Sequence, residues 1–262
     1  MSRTADVLAA RKAQGSGALI GYLPVGYPDL STSIEAAVAL VENGFDAVEL
    51  GIPYSDPGMD GPTIQRATEI SLAGGFRLAD TFDAIEAINA RVDAPILVMS
   101  YWNPVLQYGV DRFADRLASA GGAGLITPDL VPDEAAEWIA ASERTGLDRV
   151  FLAAPSSTDA RLQQVVTASV GFVYTVSTMG ITGVRGDVDQ AARTLVARLR
   201  DTGESFNCVG LGISTADQVR EVLSYADGAI VGSALVNALT DGGVPALAEL
   251  ARELARGAAV ER

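Results

Sequence analysis

Glu49 and Asp60 bracket the segment Glu-Leu-Gly-Ile-Pro-Tyr-Ser-Asp-Pro-Gly-Met-Asp, which Gly61-Pro62-Thr63 follows. One carboxylate falls inside a strand-like run, the other at the end of a loop rich in Pro and Gly. Two carboxyl groups in different environments take different pKa values, so one can act as an acid while the other stays charged. In the run 47–52, Val48, Leu50 and Ile52 share one side, and Ala47, Glu49 and Gly51 share the other. With the larger apolar set against a layer of helices, Glu49 points inward beside small neighbours, partly desolvated, and its pKa rises. The plainer alternative is a Glu paired with an Arg, or simply exposed. Asp60 also has a plainer alternative, a helix N-cap with Pro62 just inside the helix. Asp56 lies in Ser55-Asp56-Pro57-Gly58, an ordinary turn sequence.

Composition removes most competing chemistries. The chain has 262 residues, 48% hydrophobic and 20% charged, with no histidine, one cysteine (Cys208) and one lysine (Lys12). A zinc site lacks its usual ligands, so no metal is expected. A Ser-His-Asp or Cys-His arrangement needs the missing histidine. A Schiff base or pyridoxal linkage needs a lysine, and Lys12 lies in an N-terminal stretch expected to be solvated. No cofactor is expected. A formal net charge of −14 argues against nucleic acid, whose phosphates call for clustered Lys and Arg. Cys208 reads as a buried small residue in a reducing compartment. The apolar runs stop well short of a membrane span, and a soluble, cytoplasmic protein is expected.

Strand-like runs occur at 19–25, 47–52, 96–101, 124–128, 150–154, 172–177, 207–211 and 229–231. Amphipathic stretches lie between them, at 31–42, 80–90, 111–120, 133–143, 159–168, 189–199, 215–224 and 245–256, several opening on Ser, Thr or Asp. Eight such βα units predict an α/β protein of the (β/α)8 TIM-barrel class, one domain over 1–262 with extra short helices in its βα loops. A doubly wound open sheet is the rival. Two loops exceed the minimum, 53–60 with an extra helix over 61–73, and the Gly-rich 179–187. Long loops in a compact domain are usually functional, and in a barrel the βα loops form the active face.

The later glycines suggest an anion site. Gly210-Leu211-Gly212 follows the seventh strand, and Gly232-Ser233 opens a short helix after the eighth, ahead of Asp241-Gly242-Gly243. Loops at those two places bind phosphate in many barrels, and backbone N–H groups at a helix N-terminus hold it without a lysine. The glycines also read simply as strand terminators. Gly180, Gly183 and Gly186, after the sixth strand, could add a donor or act as hinges. Tyr22, Tyr101, Phe172 and Tyr174 are expected on or near the inner surface, each by itself as readily core as pocket.

Together these residues carry a wider pattern. The segment from Glu49 to Gln65 closely resembles the signature of the tryptophan synthase alpha subunit family. The resemblance extends over nearly the whole chain. It takes in Pro24-Val-Gly-Tyr-Pro28, Met99-Ser-Tyr-Trp-Asn-Pro104, Pro128-Asp-Leu130, Tyr174-Thr-Val-Ser177, Gly180-Ile-Thr-Gly183, Gly210-Leu-Gly-Ile-Ser214 and Val231-Gly-Ser-Ala234. It implies a barrel that cleaves indole-3-glycerol phosphate to indole and glyceraldehyde 3-phosphate and passes indole to a beta subunit in an alpha2-beta2 assembly. By the same resemblance Glu49 is the general acid/base, Asp60 polarises the indole N–H, Tyr174 places substrate and Thr182 closes over the Asp. The phosphate site maps to Gly183, Gly212, Gly232 and Ser233, and the indole pocket to Tyr22, Tyr101, Leu152, Leu211 and Ile230. Asp56 falls in the stretch that faces the beta subunit. Tyr54, Met59, Tyr27 and Thr178-Met179 depart from common family residues, at positions of loop closure and partner contact.

The chemistry agrees with the composition. The expected reaction is a retro-aldol cleavage, for which other aldolases use a lysine Schiff base or a metal. An indole ring supplies its own electron sink once C3 is protonated, so two carboxylates suffice. Related phosphate-binding barrels that depend on lysine, or on histidine with metal, fit this chain less well. A non-catalytic subunit that only activates a partner enzyme is the alternative of a different class, and the retained carboxylate pair counts against it.

Overall fold

The computed structural model describes residues 2–176, 185–210 and 212–259. The strands are β1 (Ala18–Pro24), β2 (Ala47–Gly51), β3 (Ile96–Met99), β4 (Gly124–Thr127), β5 (Asp148–Ala153), β6 (Val173–Val176), β7 (Asn207–Gly210) and β8 (Gly228–Val231). All are parallel, and they close in sequence order, with β1 pairing back to β8. Helices among the described residues are α1 (Arg3–Ala13), α2 (Leu30–Glu42), α3 (Pro62–Ala73), α4 (Leu78–Asn89), α5 (Trp102–Tyr108) and α6 (Val110–Ser119). They continue with α7 (Ala136–Thr145), α8 (Asp159–Ala168), α9 (Arg185–Thr202), α10 (Ala216–Leu223) and α11 (Ser233–Ala255). This is the (β/α)8 barrel read from the alternation of short apolar runs and amphipathic stretches. The open-sheet rival would leave two unpaired edges, and there are none.

Strands buried on both faces read as nearly continuous apolar runs, yet alternate residues serve different cores. Ile20, Ala47, Leu97, Ile126, Val150 and Phe172 fill the barrel interior. Val48, Leu50, Phe82, Phe113 and Trp138 pack between strands and helices. Each fully buried side chain of this size contributes about 1.5–3 kcal/mol. The two layers together fix the inward and outward faces of every strand, and a slip of one residue would exchange them.

Three local features differ from the sequence expectation. The N-terminal stretch is helical: the Ser2 hydroxyl accepts from the Ala5 N–H at 2.9 Å and donates to Asp148 Oδ2 at 2.8 Å. Leu8 of α1 thereby enters the floor of the barrel interior. Lys12 is not simply solvated either, since its ammonium pairs with Asp227 at 3.0 Å, with the side chain 62% exposed. It is committed to the floor, opposite the strand C-termini. The third strand stops at Met99, two residues short of the expected end, and helix α5 follows at Trp102. The first N–H of α5, from Trp102, is satisfied by Asp129 Oδ1 at 2.8 Å, a contact from the next βα loop that no local pattern announces. The expected division of the last helix is present, with α11 broken at Gly242 and at Gly243, which takes φ 65°. Among the described residues no helix is long and apolar enough to cross a membrane.

Candidate active site

Glu49 lies in β2, paired in register with Tyr22 of β1 and Leu97 of β3. Its parity is the expected one: Ala47 belongs to the interior, while Val48, Leu50 and Ile52 belong to the outer layer. The side chain is fully buried, and neither carboxylate oxygen has a hydrogen-bond partner among the described residues. Taking the charged form out of water without a compensating donor raises its pKa to about 8. Around neutral pH Glu49 therefore carries a proton it can give up. Neither an arginine partner nor exposure describes it.

Asp60 is not the cap of the helix that follows. Helix α3 starts at Pro62, and its N-cap is Gly61, which makes no side-chain capping bond. The Asp60 backbone is anchored instead, its N–H donating to the Pro57 carbonyl at 3.1 Å and its carbonyl accepting from Gln65 Nε2 at 2.9 Å. Burial raises the carboxyl pKa to about 6, opposed by a hydrogen bond from the Tyr101 hydroxyl. The same hydroxyl accepts from the Met59 N–H at 2.9 Å. Asp60 thus ionises before Glu49 as pH rises, which gives the two carboxyls separate protonation states at neutral pH.

A cavity of about 290 Å³ opens at the C-terminal ends of the strands. Its walls include Tyr22, Asp60, Leu152, Tyr174, Ile230, Gly212, Gly232 and Ser233, so these eight expected site residues converge. Gly212 takes φ 68°. Gly232 is the N-cap of α11 and Ser233 its first residue, and the first-turn N–H groups of a helix have no intrahelical acceptor. The cavity wall thus carries both a carboxylate and a helix N-terminus, where negative charge is stabilised.

Other expected residues fall elsewhere. Tyr101 buttresses the Asp60 loop from behind and is not part of the cavity wall. Phe172 belongs to the barrel interior. Asp56 is exposed on the loop, accepting the Ser55 hydroxyl at 2.6 Å. Gly180, Thr182, Gly183 and Leu211 lie outside the described residues. Met99 and Val176 also line the cavity. Each stands one inward step beyond Leu97 and Tyr174, so following the two-residue period to the strand end would have found them.

A barrel with two differently titrating carboxyls at its C-terminal face defines a class, the (β/α)8 enzymes that work by carboxylate acid/base chemistry. Comparison with known proteins narrows it. The profile of the family described as "Tryptophan synthase alpha chain" matches residues 8–260. The chain is 71% identical over 258 residues to the tryptophan synthase alpha chain of Leifsonia xyli subsp. xyli, covering 98% of this chain and 99% of that one. It is 59% identical over 256 residues to that of Mycobacterium avium, covering 98% and 94%. A solved tryptophan synthase structure from Mycobacterium tuberculosis superimposes with a TM-score of 0.94 at 56% identity, covering 99% of each chain. The chain belongs to the tryptophan synthase alpha chain family. It is a lyase that cleaves indole-3-glycerol phosphate, and its partner is the beta subunit, which receives the indole.

Proposed function

We propose that Glu49 and Asp60 divide the retro-aldol cleavage between them. Glu49, protonated at rest, gives its proton to C3 of the indole, and positive charge develops at the ring nitrogen. Asp60, ionised, stabilises that charge through the N–H. Glu49, now a carboxylate, takes the proton from the side-chain hydroxyl; the bond from that carbon to C3 breaks, an aldehyde forms, and the electron pair returns to the ring. Glu49 ends protonated, as it began, so no other acid or base is needed. Gly212, Gly232 and Ser233 hold the phosphate, and Tyr174, Leu152 and Ile230 enclose the ring.

The observation that carries this reading is the separation of the two pKa values, about 6 for Asp60 on the cavity wall and about 8 for Glu49. Glu49 is fully buried behind that wall, close enough to its Tyr22 and Tyr174 to disfavour their ionisation. The beta subunit docks on the loop face that bears Asp56, where Met59, Leu106 and Val131 are exposed apolar residues of three successive βα loops. An alpha2-beta2 assembly in the cytoplasm follows from this reading. The test is direct: purified chain is mixed with indole-3-glycerol phosphate, alone and with a beta subunit, and indole is measured. No turnover under either condition would reject the reading in favour of a non-catalytic subunit.

A further inference from the structure

The Tyr22 hydroxyl is a polar group in the site to which the carboxylate scheme gives no task. Its ring spans the wall between two glycines. At one end, a Cβ on Gly232 would lie 3.6 Å from Tyr22 Cβ and Cδ1, an ordinary contact. At the other, a Cβ on Gly51 would lie 2.1 Å from the Tyr22 hydroxyl oxygen, closer than any real side chain permits. Gly51 therefore makes the room that lets the phenol lie where it does. The ring is a spacer laid from the N-cap of α11 to the residue two positions beyond Glu49, with its hydroxyl held at the Glu49 end. Tyr22 shares the cavity with Asp60, Gly212 and Ser233, and among the described residues no protein hydrogen bond engages its hydroxyl. Burial and the nearby Asp60 and Glu49 disfavour its ionisation, so it remains a donor.

A substrate with its phosphate at Gly212 and Ser233 and its reacting carbon at Glu49 must run its connecting chain along this ring. Resting on the site assignments proposed above, we infer that Tyr22 is a specificity-determining residue for the polyol chain of the substrate: the ring sets the span from phosphate to acid, and the hydroxyl donates a hydrogen bond to a chain hydroxyl. A neutral hydrogen bond of this kind changes affinity by up to about tenfold.

The test compares two ligands on Tyr22→Phe. Indole-3-glycerol phosphate carries the chain hydroxyls; indole-3-propanol phosphate keeps the ring and the phosphate and lacks them. Expected is a fall of about tenfold in kcat/KM for cleavage, with the inhibition constant of the propanol phosphate in the same assay unchanged within about twofold. Equal losses for both ligands would reduce Tyr22 to a packing residue and overturn the inference, as would no loss for either. A displaced alkaline limb of the pH profile without discrimination between the ligands would also overturn it, assigning the hydroxyl to Glu49. If the unsubstituted chain failed to cleave the substrate, the site assignment itself would be wrong, a result separate from all of these.

Discussion

The Tyr101 hydroxyl fixes the loop of Asp60 from behind, accepting the Met59 N–H at 2.9 Å while donating to the Asp60 carboxylate. The ring is further set by Tyr54, whose centroid lies 5.3 Å away and whose hydroxyl accepts from Asn103 Nδ2 at 3.2 Å. A side chain at the start of α5 thus controls both the place and the charge of a carboxyl on the preceding βα loop.

That control is measurable as a pH effect. In the proposed division of roles cleavage needs Asp60 ionised and Glu49 protonated, so kcat/KM should rise with an apparent pKa near 6 and fall with one near 8. Tyr101→Phe removes a donor that holds the Asp60 pKa down. Its acid limb should move to higher pH while the alkaline limb stays in place. An acid limb that does not move would remove Tyr101 from this role.

The carboxyls themselves should be indispensable for different reasons. Glu49→Gln keeps the shape and cannot exchange the proton; Asp60→Asn keeps the shape and loses the charge that opposes the developing cation. Each should slow indole release by about a hundredfold or more, the scale of general acid/base and electrostatic roles. Rates near those of the unsubstituted chain, in variants with intact circular dichroism, would show the assignments to be wrong.

A second glycine sets a second tyrosine. A Cβ on Gly210 would lie 2.8 Å from the Tyr174 hydroxyl and 3.3 Å from its Cε1, and both residues line the cavity. Gly210→Ala should therefore push the phenol out of place and lower kcat/KM by about tenfold, the scale of one misplaced contact near the chemistry. Removing the hydroxyl relieves the tighter of the two contacts, so adding Tyr174→Phe should restore part of the loss. Purely additive losses in the double variant would argue that the two sites do not couple.

Much of this was legible in the chain itself, and the reasons are local. The two-residue period in β2 places Glu49 inward because Val48, Leu50 and Ile52 must face the helices. The barrel follows from eight such periods in series. Asp60 is different: Asp-Gly-Pro is a cap signal, and only the chain path shows that Gly61 takes the cap position. The role of Tyr101 depends on the distance to Met59 across 42 positions, and α5 on a capping carboxylate 27 positions away. Gly51 and Gly210 look like routine strand glycines until a neighbouring strand brings a phenol over each. Contacts that cross between elements leave no periodic trace.

Burial of Glu49 also predicts how stability depends on pH. In the unfolded chain its pKa is the ordinary 4.5, and in the fold it is about 8. Between those values the unfolded state releases a proton that the folded state keeps, so the contribution of Glu49 is complete below about pH 4.5 and is lost as pH rises through about 8. At about 1.4 kcal/mol per unit of pKa difference, the loss amounts to several kcal/mol. Glu49→Gln has no proton to release and escapes it. In urea melts the variant should gain stability over the unsubstituted chain as pH is raised from 5 to 8, with the gap smallest at the acid end. A gap that stays constant across this range would mean that Glu49 is hydrated in solution, and the elevated pKa on which its proposed acid role depends would fall with it.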